Sequence, residues 1–131
     1  MNLDPTRDQM ANQLERKEDP RGSLIEVFKM PSDGQVFYST SKPGIIRGNH
    51  YHTRKIERFC VIDGSGTIRL RNRVTNEIRE FHVSGDKPQT VTMLINWTHN
   101  IQNTGDTEMK LLVWANEIFD PQDPDTFSEE V

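Results

Sequence analysis

Short apolar segments separated by turn-forming residues occupy most of the chain from about Ser23 onward. Apolar and polar residues alternate within several of these segments, which is typical of strands that bury one face. Glycine, proline, asparagine and aspartate cluster at residues 31–34, 41–44, 63–66 and 103–106, where they favour tight turns. The pattern predicts nine strands, near residues 24–29, 35–40, 45–52, 57–62, 66–71, 77–83, 89–94, 99–102 and 109–116.

Nine strands without a long amphipathic helix predict an all-β fold, and we expect a jelly-roll barrel. The interior of such a barrel can hold a small ligand. The pattern divides the chain into a polar N-terminal arm, residues 1–19, and one domain, residues 20–131. We expect the N-terminal arm to be irregular or to contain a short helix. We expect the domain to end in an irregular acidic arm from about residue 117.

Length and composition restrict the classes of protein that the chain can represent. Its 131 residues include one cysteine, Cys60, so we expect a single domain without an internal disulfide, in a reducing compartment. The sequence shows neither a signal-peptide core nor a long apolar run, so we expect a cytoplasmic protein. Net charge is −4, and residues 117–131 hold six acidic and no basic residues, which leaves the rest nearly neutral. This balance favours neither nucleic acid nor a membrane as a partner.

The segment between residues 44 and 64 carries the residues best suited to chemistry. His50 and His52 are two positions apart, so on a strand both imidazoles leave the same face. Glu57 begins the next predicted strand, beside His52. Two imidazoles and a carboxylate that converge are typical ligands of a divalent transition metal.

This segment matches the first metal motif of the cupin family, G-x5-H-x-H-x4-E-x6-G, with Gly44 and Gly64 at its ends. His99 and Asn103 resemble the second cupin motif, although residues 94–96 (Leu-Ile-Asn) replace the Pro-x-Gly turn expected before it. The resemblance implies a cupin barrel in which one divalent metal is bound by His50, His52, Glu57 and His99.

The identity of the metal stays open at this point. Three histidines and one carboxylate suit zinc best, and iron, manganese, nickel and cobalt are alternatives because nitrogen and oxygen ligands discriminate poorly among them. Four ligands around a tetrahedral ion close a structural site, whereas an octahedral ion keeps two positions for water or substrate. A barrel that retains these side chains without binding metal is a further alternative.

Further runs extend the resemblance over about residues 19–131. They are Arg21-Gly22-Ser23, Lys42-Pro43-Gly44, Arg47-Gly48-Asn49-His50, Val83-Ser84-Gly85-Asp86-Lys87 and Asn116-Glu117-Ile118-Phe119-Asp120-Pro121. Together they resemble the C-terminal cupin domain of capsular polysaccharide enzymes of the CapF type. That resemblance implies C3 epimerisation of a UDP-linked 4-keto-6-deoxy-N-acetylhexosamine through an enolate. The sequence contains no Gly-rich dinucleotide motif, so we expect the chain either to work beside a separate reductase, which acts next in that family, or to have another role.

Inversion at a carbon next to a ketone requires proton transfer on opposite faces of the sugar. Tyr38, on the strand before the metal motif, and His82, the one histidine outside it, are the candidate catalytic residues. For Tyr38 the alternative is packing beside Phe37. For His82 the alternative is a place on the strand surface.

Arg47, Lys42 and Trp97 are the candidates for substrate binding. Arg47 would pair with the diphosphate, and Lys42 lies shortly before it. Trp97 would stack on the uracil or the sugar. The alternatives are a rim charge for Arg47 and core or dimer packing for Trp97. Because cupins commonly pair through an edge strand, we expect a homodimer.

Two other functions remain open from the sequence. Other cupins use the same three-histidine, one-glutamate set to hold iron or nickel as dioxygenases, so metal-dependent dioxygenase activity is one alternative. A sugar-binding module without catalysis, in which the metal only braces the barrel, is the other.

Overall fold

The computed structural model describes residues 13–131, which form eleven strands. In chain order these are β1 (Arg16–Asp19), β2 (Gly22–Met30), β3 (Gly34–Ser41), β4 (Ile46–Tyr51), β5 (Glu57–Asp63), β6 (Ser65–Asn72), β7 (Ile78–Ser84), β8 (Thr90–Met93), β9 (Trp97–Asn103), β10 (Met109–Ala115) and β11 (Phe127–Ser128). The nine predicted strands correspond to β2 through β10, each within about two residues at its ends. The short helix predicted in the N-terminal arm falls mainly on residues 1–12, outside the described residues.

The strands form two antiparallel sheets that face each other. One has the order β1-β2-β3-β10-β5-β8, and the other has the order β11-β4-β9-β6-β7. The pairing of strands distant in sequence, β3 with β10 and β4 with β9, is the arrangement expected of a jelly roll. The predicted all-β architecture is therefore confirmed. Between residues 13 and 131 there is no helix with the length and hydrophobicity needed to cross a bilayer.

The core lies between the sheets and is built from alternate residues of their strands. Phe59 and Val61 of β5 are buried, and they face Ile68 of β6 and Ile101 of β9. The same alternation along β5 places Glu57, two residues before Phe59, on the inward face. The apolar core therefore gives way to polar side chains at one end of the barrel.

A β-bulge in β4 determines which of its side chains enter the barrel. The register with β9 shifts between Gly48 and His50, which leaves Asn49 as the extra residue. Gly48 and Asn49 have φ angles of 99° and 57°, in the left-handed region that glycine and asparagine tolerate best. Because one residue is added, Arg47 and His50 both face inward although they are three positions apart.

The C-terminal segment is more regular than predicted. β11 pairs with β4 through Phe127 opposite Tyr51 and Ser128 opposite His50. The rings of Tyr51 and Phe127 stack with centroids 5.1 Å apart. This segment therefore extends the smaller sheet beyond β4, the strand that carries His50 and leads into His52.

Candidate metal centre

Four side chains from three strands converge at the polar end of the barrel. His50 lies on β4 and His52 directly follows it, Glu57 begins β5, and His99 lies on β9. One potential ligand atom from each lies within 4.8 Å of every other. His52 and His99 are 2% and 0% exposed, whereas His50 and Glu57 are partly exposed.

The hydrogen bond on the far side of His52 determines which nitrogen of its ring faces the cluster. Nδ1 lies 2.7 Å from the carbonyl oxygen of Asp125, which can only accept, so Nδ1 carries the proton. In neutral His52 the Nε2 atom then presents a lone pair, and it lies 2.7 Å from Oε1 of Glu57. Two electron-pair donors this close require a proton or a cation between them.

His99 has a similar arrangement. Its Nδ1 lies 3.2 Å from the carbonyl oxygen of Trp97, which assigns the proton to Nδ1. Its Nε2 is buried without a hydrogen-bond partner and lies 3.4 Å from Oε1 of Glu57. A buried polar atom without a partner is unfavourable by about 1–3 kcal/mol. The residues therefore fit a divalent cation, which would satisfy this atom and bring the two histidines and the carboxylate together.

The protonation states also suit metal binding. Burial, and then the proximity of His99, lower the pKa of His50 to about 4, so its imidazole is neutral at pH 7. Burial opposes ionisation of Glu57, but the contact with His52 and the proximity of His99 outweigh that effect and hold its pKa below the usual range. Neutral imidazoles and an ionised carboxylate are the forms that bind metal.

The turn before His99 departs from the cupin pattern in sequence without displacing the histidine. Asn96 has a φ of 60°, a left-handed conformation in which asparagine is the best substitute for glycine. Its N–H donates to the carbonyl oxygen of His52 at 2.8 Å, and its own carbonyl accepts from the Arg73 N–H at 3.1 Å. The turn therefore ties β9 directly to the segment that carries His52.

A cavity of about 360 Å³ opens beside the cluster and is bordered by His50 and Glu57. Its other walls combine apolar side chains with two arginines, and they are Arg21, Leu24, Phe37, Ser39, Arg47, Gly48, Phe59, Ile101, Leu111 and Val113. Arg47 is half-buried, and its guanidinium donates to Ser41 Oγ and to the Thr40 carbonyl oxygen, both at 2.9 Å. Burial, followed by the neighbouring Arg21, lowers the pKa of Arg47, which remains a cation. The wall is thus suited to an anionic group.

The structure does not bring the two candidate catalytic residues, Tyr38 and His82, to this cavity. Phe37 and Ser39 line the cavity, so alternation along β3 places Tyr38 on the opposite face of the sheet. His82 is exposed on β7, and its Nδ1 lies 3.2 Å from Thr67 Oγ1 on the outer face of the second sheet. Neither side chain approaches the four-residue cluster.

Lys42 and Trp97 also lie away from the metal cavity. Lys42 is exposed in the turn after β3, in a polar depression shared with Glu18 and Glu108. Trp97 lines a separate cavity of about 220 Å³, where the guanidinium of Arg79 lies 5.1 Å from its ring. Trp97 also packs against the apolar core, as the alternative interpretation expected. Among the predicted substrate-binding residues, Arg47 alone lines the metal cavity.

Two residues at the site were missed from the sequence as site residues. Arg21 lines the cavity and forms an ion pair with Asp19 at 2.6 Å. Asp125 accepts the hydrogen bond from His52 through its main chain. Arg21 could have been found from the sequence because it belongs to one of the segments that resemble the CapF type. The main-chain carbonyl of Asp125 could not, because no sequence pattern marks a carbonyl group 73 residues from its partner.

The two-sheet barrel and its buried three-histidine, one-carboxylate cluster define a cupin with a metal-type site. An oxalate decarboxylase of Bacillus subtilis shares this fold, with a TM-score of 0.65 at 19% identity over 79% of this chain and 28% of that one. Residues 17–127 match the family model described as Polysaccharide biosynthesis C-terminal domain, and the chain belongs to that family.

Three relatives have names that refer to polysaccharides or to a nucleotide sugar. The capsular polysaccharide assembling protein CapF of Staphylococcus aureus is 46% identical, with a TM-score of 0.90 over 96% of this chain and 37% of that one. A UDP-2-acetamido-2,6-beta-L-arabino-hexul-4-ose reductase of Pseudomonas aeruginosa is 38% identical over 92% of this chain and 32% of its own length. The chain thus spans about a third of these two relatives. The spore coat polysaccharide biosynthesis protein SpsL of Bacillus subtilis is 21% identical over 88% of this chain and 83% of its own length.

Proposed function

We propose that this chain is a metal-dependent cupin that epimerises C3 of a UDP-linked 4-keto-6-deoxy-N-acetylhexosamine. The observation that carries the proposal is the cluster of four ligand-type side chains bordering a cavity that also has two arginines in its wall. The printed name of the Pseudomonas aeruginosa relative describes a reductase acting on a UDP-linked hexul-4-ose, which supports a substrate of this class.

The chemistry starts from the acidity of a hydrogen next to a ketone. A divalent cation, zinc in our proposal, held by His50, His52, Glu57 and His99, would supply Lewis-acid stabilisation of the negative charge that develops on the C4 oxygen. Phe37, Phe59 and Val113 give the cavity apolar walls, and apolar walls strengthen electrostatic interactions beside them.

The arginines of the cavity wall determine how the nucleotide sugar would lie. Arg47 is fixed by Ser41 and Thr40, so its charge is directed without further loss of side-chain freedom. We assign Arg47 and Arg21 to the diphosphate, which orients the keto sugar toward the cluster. Among the described residues of the wall, these arginines and the cluster are the only titratable groups. We therefore assign the proton removed from C3 to a water molecule in the cavity, and a second water returns a proton to the opposite face.

Proton exchange tests the reaction directly. The metal-loaded protein is incubated in D₂O with the UDP-linked 4-keto sugar, and deuterium at C3 is followed by NMR or mass spectrometry. We expect exchange at C3 that is abolished in His52→Ala and retained in the matched variant His82→Ala, whose imidazole lies outside the cavity. Absence of deuterium at C3 with the metal site fully loaded would contradict the proposal.

We further propose that the chain acts as a homodimer beside a separate reductase. The outer face of the larger sheet exposes Phe28, Ile62 and Leu112 by 59%, 41% and 36%, and an apolar surface of this kind is suited to a second copy. Light scattering on wild type and Leu112→Glu tests the dimer, and a shift from dimer to monomer is expected. Addition of a reductase and NADPH should convert the exchanged keto sugar and consume NADPH, and unchanged NADPH would contradict that order of steps.

A further inference from the structure

Asp125 is buried in a segment that otherwise runs over the surface of the barrel. It is 3% exposed and has a φ of 48°, a conformation that asparagine and aspartate tolerate better than most residues. Its Oδ1 accepts from Thr53 N–H and Thr53 Oγ1 at 3.0 and 2.6 Å. Its Oδ2 accepts from the N–H groups of Arg54 and Lys55, both at 2.7 Å. One carboxylate therefore binds the N–H groups of three consecutive residues, 53–55, and fixes the conformation of their loop.

That loop joins two of the ligand residues. Residues 53–56 connect His52 to Glu57, so their conformation sets the distance between an imidazole and the carboxylate. The carbonyl oxygen of Asp125 also accepts from His52 Nδ1 at 2.7 Å and so directs Nε2 toward the cluster. Asp125 thus contacts both the ring of one ligand and the connection to the next.

The remainder of the C-terminal arm, defined here as residues 124–131, is fastened to the same region. Ser128 pairs with His50 on β4, and the Glu129 N–H donates to the Asn49 carbonyl oxygen at 3.0 Å. The Glu129 carboxylate lies 3.0 Å from Arg73 and 3.3 Å from Arg71. Displacement of the arm would therefore remove contacts from β4, which carries His50, and from the segment after it, which carries His52.

We propose that Asp125 is a positioning residue of the metal centre and that arm docking and metal binding stabilise each other. The inference rests on the metal site of the proposed function. A carbonyl that accepts from the distal nitrogen of a ligating imidazole fixes its tautomer and raises its basicity. Coupling between two binding events is reciprocal, so metal should tighten the arm by the same factor by which the docked arm tightens metal.

Asp125→Asn tests the positioning role with a nearly isosteric change. Asparagine keeps one acceptor oxygen, but its NH₂ group is a donor and cannot accept the hydrogen bonds that Oδ2 accepts from the N–H groups of Arg54 and Lys55. We expect affinity for Zn²⁺, measured by competition with a chelator, to fall by about 10- to 100-fold, and the absorption spectrum of the Co²⁺ form to change. The matched control is Asp123→Asn, two positions earlier, where an exposed carboxylate lies 3.3 Å from Arg54 Nη1. The control should bind Zn²⁺ as the wild type does.

Different outcomes separate the inference from the function on which it rests. If Asp125→Asn lowers the melting temperature but binds Zn²⁺ with wild-type affinity and an unchanged Co²⁺ spectrum, Asp125 is merely structural and the inference is overturned. If wild type binds metal but exchanges no deuterium into the keto sugar, the epimerase proposal fails while the inference stands. A wild-type chain that binds no metal overturns both.

Hydrogen exchange on the wild type provides a measurement that does not depend on a variant that folds. The amides of Thr53, Arg54, Lys55 and Glu129 report on arm docking because each donates to Asp125 or to β4. We expect them to exchange more slowly with Zn²⁺ than with EDTA, relative to amides of β6 and β7. Equal slowing throughout the barrel would show general stabilisation without specific coupling and would overturn the inference.

Discussion

Gly48 lies against the main chain of β9, and replacing it with alanine is expected to damage both the fold and the metal centre. A Cβ atom at this position would lie 2.9 Å from the carbonyl oxygen of His99 and 3.1 Å from Cα of Asn100. Both neighbours are main-chain atoms of the strand that carries a ligand. The strands must therefore separate, and the separation moves His50 away from His99.

The magnitude follows from two contributions. A non-glycine residue at a φ of 99° is unfavourable by about 1–3 kcal/mol. Overpacking against the main chain of β9 adds about 1–3 kcal/mol. Gly44→Ala is the matched control, because Gly44 has a φ of 81° with nothing within 4 Å of its Cβ position, so it carries only the first contribution. The difference between the two variants should be about 1–3 kcal/mol.

Thermal unfolding, followed by circular dichroism with Zn²⁺ and with EDTA, measures this difference. For a domain of this size about 1 kcal/mol corresponds to roughly 4 °C, so Gly48→Ala should melt about 4–12 °C below Gly44→Ala. The Zn²⁺-induced rise in melting temperature should also shrink in Gly48→Ala alone. Equal losses in the two variants, or an undiminished response to Zn²⁺ in Gly48→Ala, would refute the argument from close approach.

Three further predictions concern the charge of Arg47, the effect of pH on stability and the side chain of Tyr38. Arg47→Ala should weaken binding of UDP, measured by calorimetry, by about 5- to 50-fold because a cation at the diphosphate is lost. The control Arg58→Ala, on the outer face beside Trp114, should bind UDP as the wild type does. Equal affinities of the two variants would contradict the orientation proposed for the nucleotide. The metal-free protein should lose stability toward urea as pH falls from about 6.5 to about 4. Burial, and then the proximity of His99, lower the pKa of His50 in the folded state to about 4, so the unfolded state binds the proton first. Constant stability across this pH range would contradict the prediction. Tyr38→Phe should retain full deuterium exchange, and a loss of more than tenfold in that assay would return Tyr38 to the reaction.

Most of the architecture could be predicted because alternation along a strand is visible in the sequence. β2 through β10 were found this way, but β1 was not, since Arg16–Asp19 is fully charged and pairs with β2 through its main chain. β11 has only two residues, Phe127–Ser128, too few to show any period. Both missed strands lie at sheet edges, where main-chain pairing replaces burial.

The site was predictable where spacing carries the information, and less so where orientation does. His50, His52, Glu57 and His99 follow a motif, and the structure brings them together. Tyr38 was ambiguous because adjacent Phe37 is also aromatic, and nothing in a pair of aromatics tells which one faces inward. Because of the bulge at Asn49, side chains of β4 before and after it follow opposite alternation, so counting from Arg47 would have placed His50 on the outer face of the sheet.

The main-chain contribution of Asp125 lies beyond sequence patterns for a different reason. The atom that contacts His52 is a carbonyl oxygen, which every residue possesses. The aspartate side chain matters through the loop that it closes, and that loop is distant in sequence. Such contacts become predictable only when the path of the chain is known.

The left-handed backbone of Asn96 bears on how members of this family are recognised. A search that demands proline and glycine ahead of the distal histidine would reject this chain, although its turn delivers the imidazole to its partners. A torsion-angle criterion, a positive φ three residues before the histidine, would retain it. We therefore expect the backbone conformation to be the main restriction on residue 96, and glycine and asparagine should interchange there more freely than any other pair.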